Sequence, residues 1–195
     1  KVSSVSGALA PPGAEVAGSV FALGARKLSE RVCAVIVTYN CGDKVLPTAR
    51  SVIPQVDRVL FIDNGSRDST GKILERIRDG APGSVEIVTL GENRGIACAL
   101  NFGVRRAIEL SYPWVLTMDH DSEADGHMVE NLVRAVHEHR EPEKVIISAP
   151  VYIDRGTGEA CRIYRYEGWR RHRLDPLPPG GIATPTVVIT SGNLL

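Results

Sequence analysis

A mainly parallel α/β fold, with helices on both faces of the sheet, is what this sequence predicts from Arg31 to Ser148. Three observations carry that expectation. Short apolar runs alternate with amphipathic stretches, the β-α-β-α order that yields a parallel sheet. The first run, Val32-Cys33-Ala34-Val35-Ile36-Val37, is apolar almost without break, as a strand covered on both faces should be. Successive runs end in polar clusters, at the strand ends where open α/β sheets bind ligands.

The elements follow in order. After the first strand, Asn40-Cys41-Gly42-Asp43 reads as a turn, and Lys44 to Ile53 as a helix with Pro47 tolerated near its first turn. Val56 to Ile62 is the second strand, broken by Asp63-Asn64-Gly65-Ser66. Asp68 or Ser69 caps a helix that carries Ile73, Leu74 and Ile77 on one face. Val85 to Leu90 is the third strand. Gly95 to Leu110 is a helix with Ile96, Leu100, Val104 and Ile108 spaced by four. Trp114 to Met118 is the fourth strand, Met128 to His139 a helix with Met128, Leu132, Val133 and Val136 inward, and Val145 to Ser148 a fifth strand.

Beyond Pro150 the rhythm stops. Residues 151–153 and 160–164 flank the turn sequence Asp154-Arg155-Gly156-Thr157-Gly158 and are expected to pair as a hairpin. Residues 165–181, basic and then rich in Pro and Gly, are expected to be an exposed loop, and Thr186 to Thr190 a last strand. Residues 1–30, rich in Ala, Gly, Ser and Val, are expected to be a flexible leader, leaving 31–195 as the folded domain.

Composition narrows the function. The 195 residues, 43% hydrophobic and 24% charged, suit one soluble domain core. A formal net charge of zero argues against a nucleic-acid partner. Cys33, Cys41, Cys98 and Cys161 show no Cys-x-x-Cys spacing, so zinc or dithiol redox chemistry is disfavoured and reduced cytoplasmic thiols are expected. No apolar stretch is long enough to span a bilayer.

The triplet Asp119-His120-Asp121 follows the fourth apolar run directly. If the strand continues through it, both carboxylates project to one side. Paired carboxylates make a hard oxygen site for Mg²⁺ or Mn²⁺, and such a cation can hold a diphosphate. His120 then points the other way, toward a packing role. The other strand endings are Thr38-Tyr39-Asn40, Asp63-Asn64-Gly65-Ser66-Arg67-Asp68 and Glu92-Asn93-Arg94-Gly95. No Gly-x-Gly-x-x-Gly follows the first strand, which disfavours a dinucleotide oxidoreductase.

These motifs, in this order, resemble family 2 of the glycosyltransferases, the inverting GT-A enzymes. The matching segments are Val35 to Asn40, Asp63 to Thr70, Asn93 to Ala97 and Asp119 to Ser122; Thr190-Ser191-Gly192-Asn193 is similar to the rhamnosyltransferase-like branch. The resemblance implies a GT-A domain whose Rossmann-like half binds a UDP- or dTDP-sugar. It places Thr38, Tyr39, Asn40, Asp63, Asn64, Arg94, Gly95, Asp119, Ser191 and Gly192 around the donor, with Thr38 and Tyr39 framing the base and Asp63 accepting from its imide N–H. Asp119 and Asp121 take the Mg²⁺ or Mn²⁺. The resemblance puts the catalytic base downstream of the Ser-Gly segment, beyond Leu195, so no base is assigned and the domain is expected to lack part of its acceptor side. A dTDP-rhamnose donor, a saccharide or lipid-linked acceptor, and a cytoplasmic site at the inner membrane face complete the expectation. A nucleotidyltransferase and a non-catalytic nucleotide-sugar-binding module are the alternatives.

Overall fold

The computed structural model describes residues 30–174 and 191–195. The expected leader, apart from Glu30, and the expected strand Thr186 to Thr190 lie outside the described residues. A five-stranded sheet is built from β1 (Val32–Thr38), β2 (Arg58–Asp63), β3 (Val85–Thr89), β4 (Trp114–Asp119) and β7 (Asn193–Leu194), in the spatial order β3-β2-β1-β4-β7. The four longer strands pair in parallel and β7 pairs antiparallel with β4.

Alternation along the strands divides the core in two. Val32, Ala34 and Ile36 of β1 pack with α1 (Val45–Val52), α2 (Thr70–Gly80) and α4 (Met128–His137). Cys33, Val35 and Val37 pack on the other face with α3 (Ile96–Glu109). Every β1 residue is buried, which is why the run reads as continuously apolar. Burying side chains the size of Ile36 or Phe61, both fully buried, contributes about 1.5–3 kcal/mol each. Helices therefore cover both faces, as expected.

Four details depart from the sequence reading. The α3 residues buried against the sheet are Ala99, Gly103 and Ala107, while Ile96 and Ile108 are exposed. The reason is the close approach of helix and sheet: a Cβ on Gly103 would lie 2.3 Å from Val35 Cγ1. Small residues meet the sheet at that closest approach, and Leu100 and Val104 pack half-buried beside them.

The expected fifth strand at Val145 to Ser148 does not form. The free edge of β4 is taken by Asn193 and Leu194, and Ser148 reaches only an isolated bridge to Leu194. The hairpin expected around residues 154–158 forms over a short stretch without regular strands: Ile153 bridges Ala160, and the Cys161 N–H donates to the Tyr152 carbonyl at 2.8 Å. Asp154 Oδ1 accepts from the N–H groups of Gly156 and Thr157 and shapes the turn, while the Asp154 N–H donates to the Glu159 carbonyl. Instead, a regular hairpin occupies part of the expected loop: β5 (Tyr164–Glu167) pairs antiparallel with β6 (Arg170–Arg173).

Candidate functional site

The ends of β2, β1 and β4 are level. Thr38 stands beside Asp63 across one pairing, and Val37 beside Asp119 across the other. Chain order reverses between β1 and β4, because the connection from β1 goes to β2 on one side while β4 lies on the other. The crevice beyond the carboxyl ends at such a reversal is where open α/β sheets take ligands. A cavity of about 280 Å³ opens there, lined by Val37, Tyr39, Asn64, Asn93, Gly95, Ile96 and His120.

Backbone strain and side-chain caps hold its rim. Asn40 adopts φ 46°, a left-handed conformation that Asn tolerates better than most residues. Its Oδ1 accepts the Arg67 N–H at 2.8 Å, and its own N–H donates to Ser66 Oγ at 2.9 Å. The Ser66 hydroxyl then donates to Asp63 Oδ1. Thr70, the first residue of α2, accepts from the N–H groups of Cys41 and Gly42, both at 2.9 Å. Asp68 Oδ1, just before the helix, accepts the Thr70 N–H at 2.9 Å, and hydrogen bonds from the Thr70 hydroxyl and then its N–H hold the Asp68 carboxyl below the usual carboxylate range.

Asn64 joins the second and third loops. Its Nδ2 donates to Asn93 Oδ1 at 3.0 Å and its Oδ1 accepts the Arg94 N–H at 2.9 Å. Asn93 Oδ1 also accepts from the Gly95 N–H at 2.9 Å. The two loops touch at Gly65, φ 84°, where an added Cβ would lie 2.5 Å from the Glu92 carbonyl carbon. Gly95, φ 80°, starts α3 without a side-chain cap and has open space above it. The first N–H groups of a 14-residue helix therefore face the cavity rim, a setting that suits an anion.

The acidic triplet differs from its expected geometry. β4 stops at Asp119, and His120 and Asp121 lie in a turn, with the Ser122 N–H 3.4 Å from the Asp119 carbonyl. Strand alternation therefore does not orient Asp121. Asp119 is half-buried, Asp121 is exposed, and His120 lines the cavity. The Asp119 N–H donates to Ser191 Oγ at 3.0 Å, and the Ser191 hydroxyl donates to Ser122 Oγ at 3.3 Å. The Gly192 N–H donates to the Thr117 carbonyl at 2.7 Å. Ser191 and Gly192 thus support the triplet from behind.

Among the remaining candidates, Tyr39 is half-exposed on the cavity wall, while Thr38 is fully buried on the opposite strand face. The Thr38 hydroxyl has no hydrogen-bond partner among the described residues. Asp63 is 4% exposed and does not line the cavity. Arg94 is exposed and forms an ion pair with Glu92 at 3.3 Å.

Sequence reasoning passed over a set of residues on α1 and the turn after it. Thr48 Oγ1 shares its proton between the carbonyls of His120 and Ser122, at 2.7 and 2.6 Å. Ser51 Oγ accepts the Ala124 N–H at 3.0 Å. Gln55 Nε2 donates to the Asp125 carbonyl at 2.8 Å, and Gln55 Oε1 accepts the Val129 N–H at 3.1 Å. Three side chains at helical spacing fasten the loop from the acidic triplet to α4. The readable signal was a polar stripe at i, i+3 and i+7 beside the apolar face of a helix. Asn93, Ile96 and Val37 were likewise not singled out as site residues.

The donor set can be weighed for a cation. No group of three or more His, Cys, Asp or Glu side chains suited to a metal occurs among the described residues. Asp119 at the end of β4 and Asp121 in the turn after it offer oxygen ligands alone, the donor type of Mg²⁺ rather than of a closed zinc site.

Comparison with known proteins adds independent findings. The model of the family described as "Glycosyl transferase family 2" matches residues 33–189. Over 109 residues the chain is 30% identical to the poly-beta-1,6-N-acetyl-D-glucosamine synthase of Staphylococcus aureus strain MSSA476, covering 52% of this chain and 25% of that protein. Over 129 residues it is 29% identical to the dTDP-rhamnosyl transferase RfbF of Shigella flexneri, covering 66% and 40%. The crystal structure of S. aureus TarS 1–349 superposes with a TM-score of 0.47 at 20% identity, covering 56% of this chain and 33% of that one. The aligned region amounts to 25% of the first of these curated relatives and 40% of the second.

Proposed function

The chain belongs to glycosyl transferase family 2, and on that premise we propose that its sheet edge binds a nucleoside-diphosphate sugar for inverting transfer to a saccharide or lipid-linked acceptor. The observation that carries the reading is the meeting of four loops around the cavity at the β1–β4 reversal. The expected site residues divide into layers there. Tyr39, Asn64 and Gly95 line the cavity, and Asn40, Asp63, Ser191 and Gly192 brace the loops behind it.

Each residue has work that its chemistry supports. Tyr39 offers a half-exposed ring against which a base can stack. Asp63, buried behind the cavity wall, holds the Ser66 hydroxyl on Oδ1, and a base reaching it for an imide contact would have to move that loop. Gly95 permits close backbone approach at the start of α3, and Arg94 adds positive charge beside a diphosphate. Asp119 and Asp121 are the residues that would hold Mg²⁺ or Mn²⁺. That cation, when bound, neutralises charge on the departing nucleoside diphosphate.

The donor proposed is dTDP-rhamnose, supported by the similarity to RfbF and by the Ser191-Gly192-Asn193 segment. The similarity to the poly-N-acetylglucosamine synthase makes UDP-N-acetylglucosamine the comparison arm. The test is thermal shift and calorimetry with each nucleotide sugar, with and without Mn²⁺. A ligand selective for the folded form raises apparent stability. Saturable, Mn²⁺-dependent binding of dTDP-rhamnose that disappears in Asp121→Ala is expected. A folded sample that binds neither donor in either condition removes the proposal.

A further inference from the structure

The β5–β6 hairpin belongs to neither face of the main sheet, and none of its strand residues is buried. A two-stranded hairpin whose strand residues are exposed or half-buried is marginal by itself. Its charge is concentrated: residues 162–173 hold five arginines and one acid, Glu167, in a chain whose formal net charge is zero.

The pairing register sorts those residues. Tyr164 stands opposite Arg173 and Tyr166 opposite Arg171, so these four share one face. Arg165 stands opposite His172 and Glu167 opposite Arg170, on the other face. Glu167 is engaged there, with Arg165 at 3.2 Å and His172 at 3.6 Å. The first face therefore carries two tyrosines and two arginines and no acid from the hairpin. The Arg171 guanidinium lies 4.7 Å from the Tyr164 ring centroid. At the tip, Gly168 with φ 60° makes the tight turn that presents Trp169, whose side chain is fully exposed.

We propose that this hairpin, through Trp169 and the Tyr164–Tyr166–Arg171–Arg173 face, docks the protein on an anionic lipid surface. Trp and Tyr suit the headgroup boundary because one part of each ring is apolar and the other polar. Arginines beside them meet lipid phosphates. A fully exposed tryptophan at a protruding tip can enter a flat interface without rearrangement. A single-stranded polynucleotide fits less well, since proteins that bind one carry a clear basic excess and this chain has a formal net charge of zero. The inference is independent of the donor reading, because it concerns binding to lipid and not transfer.

The test uses the chain with phosphatidylcholine vesicles, with and without about a third phosphatidylglycerol. Co-sedimentation only with the anionic lipid is expected, together with a blue shift of Trp169 emission; Trp114, half-buried in β4, serves as the internal reference. Trp169→Ser should abolish the shift. Neutralising Arg171 and Arg173 to Gln should weaken binding by about fivefold each, and the Arg165→Gln/Arg170→Gln pair by clearly less. Binding without lipid-charge dependence, equal losses from both faces, or tighter binding to a single-stranded oligonucleotide than to the vesicles would overturn the assignment. Circular dichroism confirms that each variant is folded, and Trp169→Ser, at an exposed tip, keeps the test decisive if the double variants are not.

Discussion

The Thr48 hydroxyl lies 2.7 Å from the His120 carbonyl oxygen, across 72 residues of sequence, and joins α1 to the turn that carries Asp119 and Asp121. It is fully buried and also reaches the Ser122 carbonyl. Replacing it with Val keeps the shape and removes the donor. Leaving those carbonyls without it should cost about 1–3 kcal/mol in chemical denaturation. Thr48→Val should also weaken Mn²⁺-dependent nucleotide binding, while Thr48→Ser, which keeps the hydroxyl, should bind like the parent. Equal binding losses in both variants would mean that the methyl group, not the hydrogen bond, sets the turn.

Gly65 ties the Asp63 loop to the Asn93 loop by backbone contact. Alanine there meets two penalties, a positive φ and a Cβ inside contact distance of the Glu92 backbone. Gly65→Ala should lose at least about 2 kcal/mol by urea titration. An unchanged midpoint would show that the two loops can separate at no cost.

Glu86 bridges three elements, accepting from Arg58 of β2 at 2.7 Å and from Arg106 of α3 at 2.8 Å. Burial pushes its carboxyl up, but hydrogen bonds and charge from Arg106 and Arg58 outweigh that and hold it below the ordinary glutamate value. A carboxyl depressed in the folded state stabilises above its unfolded pKa and ceases to do so as pH falls through its folded one. Stability should therefore decline as pH drops below about 4.5, the unperturbed value. Denaturation midpoints of Glu86→Gln should decline less steeply over that window. An identical slope would assign the acid sensitivity to other carboxylates.

All four thiols are free, but their environments differ. Burial pushes Cys33 up to about 12 and raises Cys41 as well. Both should stay unlabelled by an aromatic disulfide reagent in the native protein, while the exposed Cys98 and half-buried Cys161 react. Mass spectrometry of the labelled protein reads the sites. Native labelling of Cys33 as fast as Cys98 would contradict the packing of β1.

Much of the parallel sheet was legible because its signals are local. Apolar runs marked β1 to β4, and Asp68 announced the start of α2. The face of α3 was legible only in part: Leu100 and Val104 pack at the sheet but Ile96 and Ile108 lie outside, and the stripe of Ala99, Gly103 and Ala107 has a meaning that depends on how near β1 comes. Val145 to Ser148 looked like a strand, yet whether an apolar run joins a sheet depends on which segment occupies the edge first.

The amino-acid order by itself determined the alternation of elements and the polar clusters at the ends of the strands, since both follow from side-chain periodicity and turn chemistry within short windows. Only the tertiary structure decided how those clusters meet: that β4 ends at Asp119, that His120 faces the cavity, and that Thr48, Ser51 and Gln55 fasten the turn. Those hydrogen bonds span about 70 residues of chain. Their partners are backbone groups, which every residue type offers alike, so no local pattern could have named them.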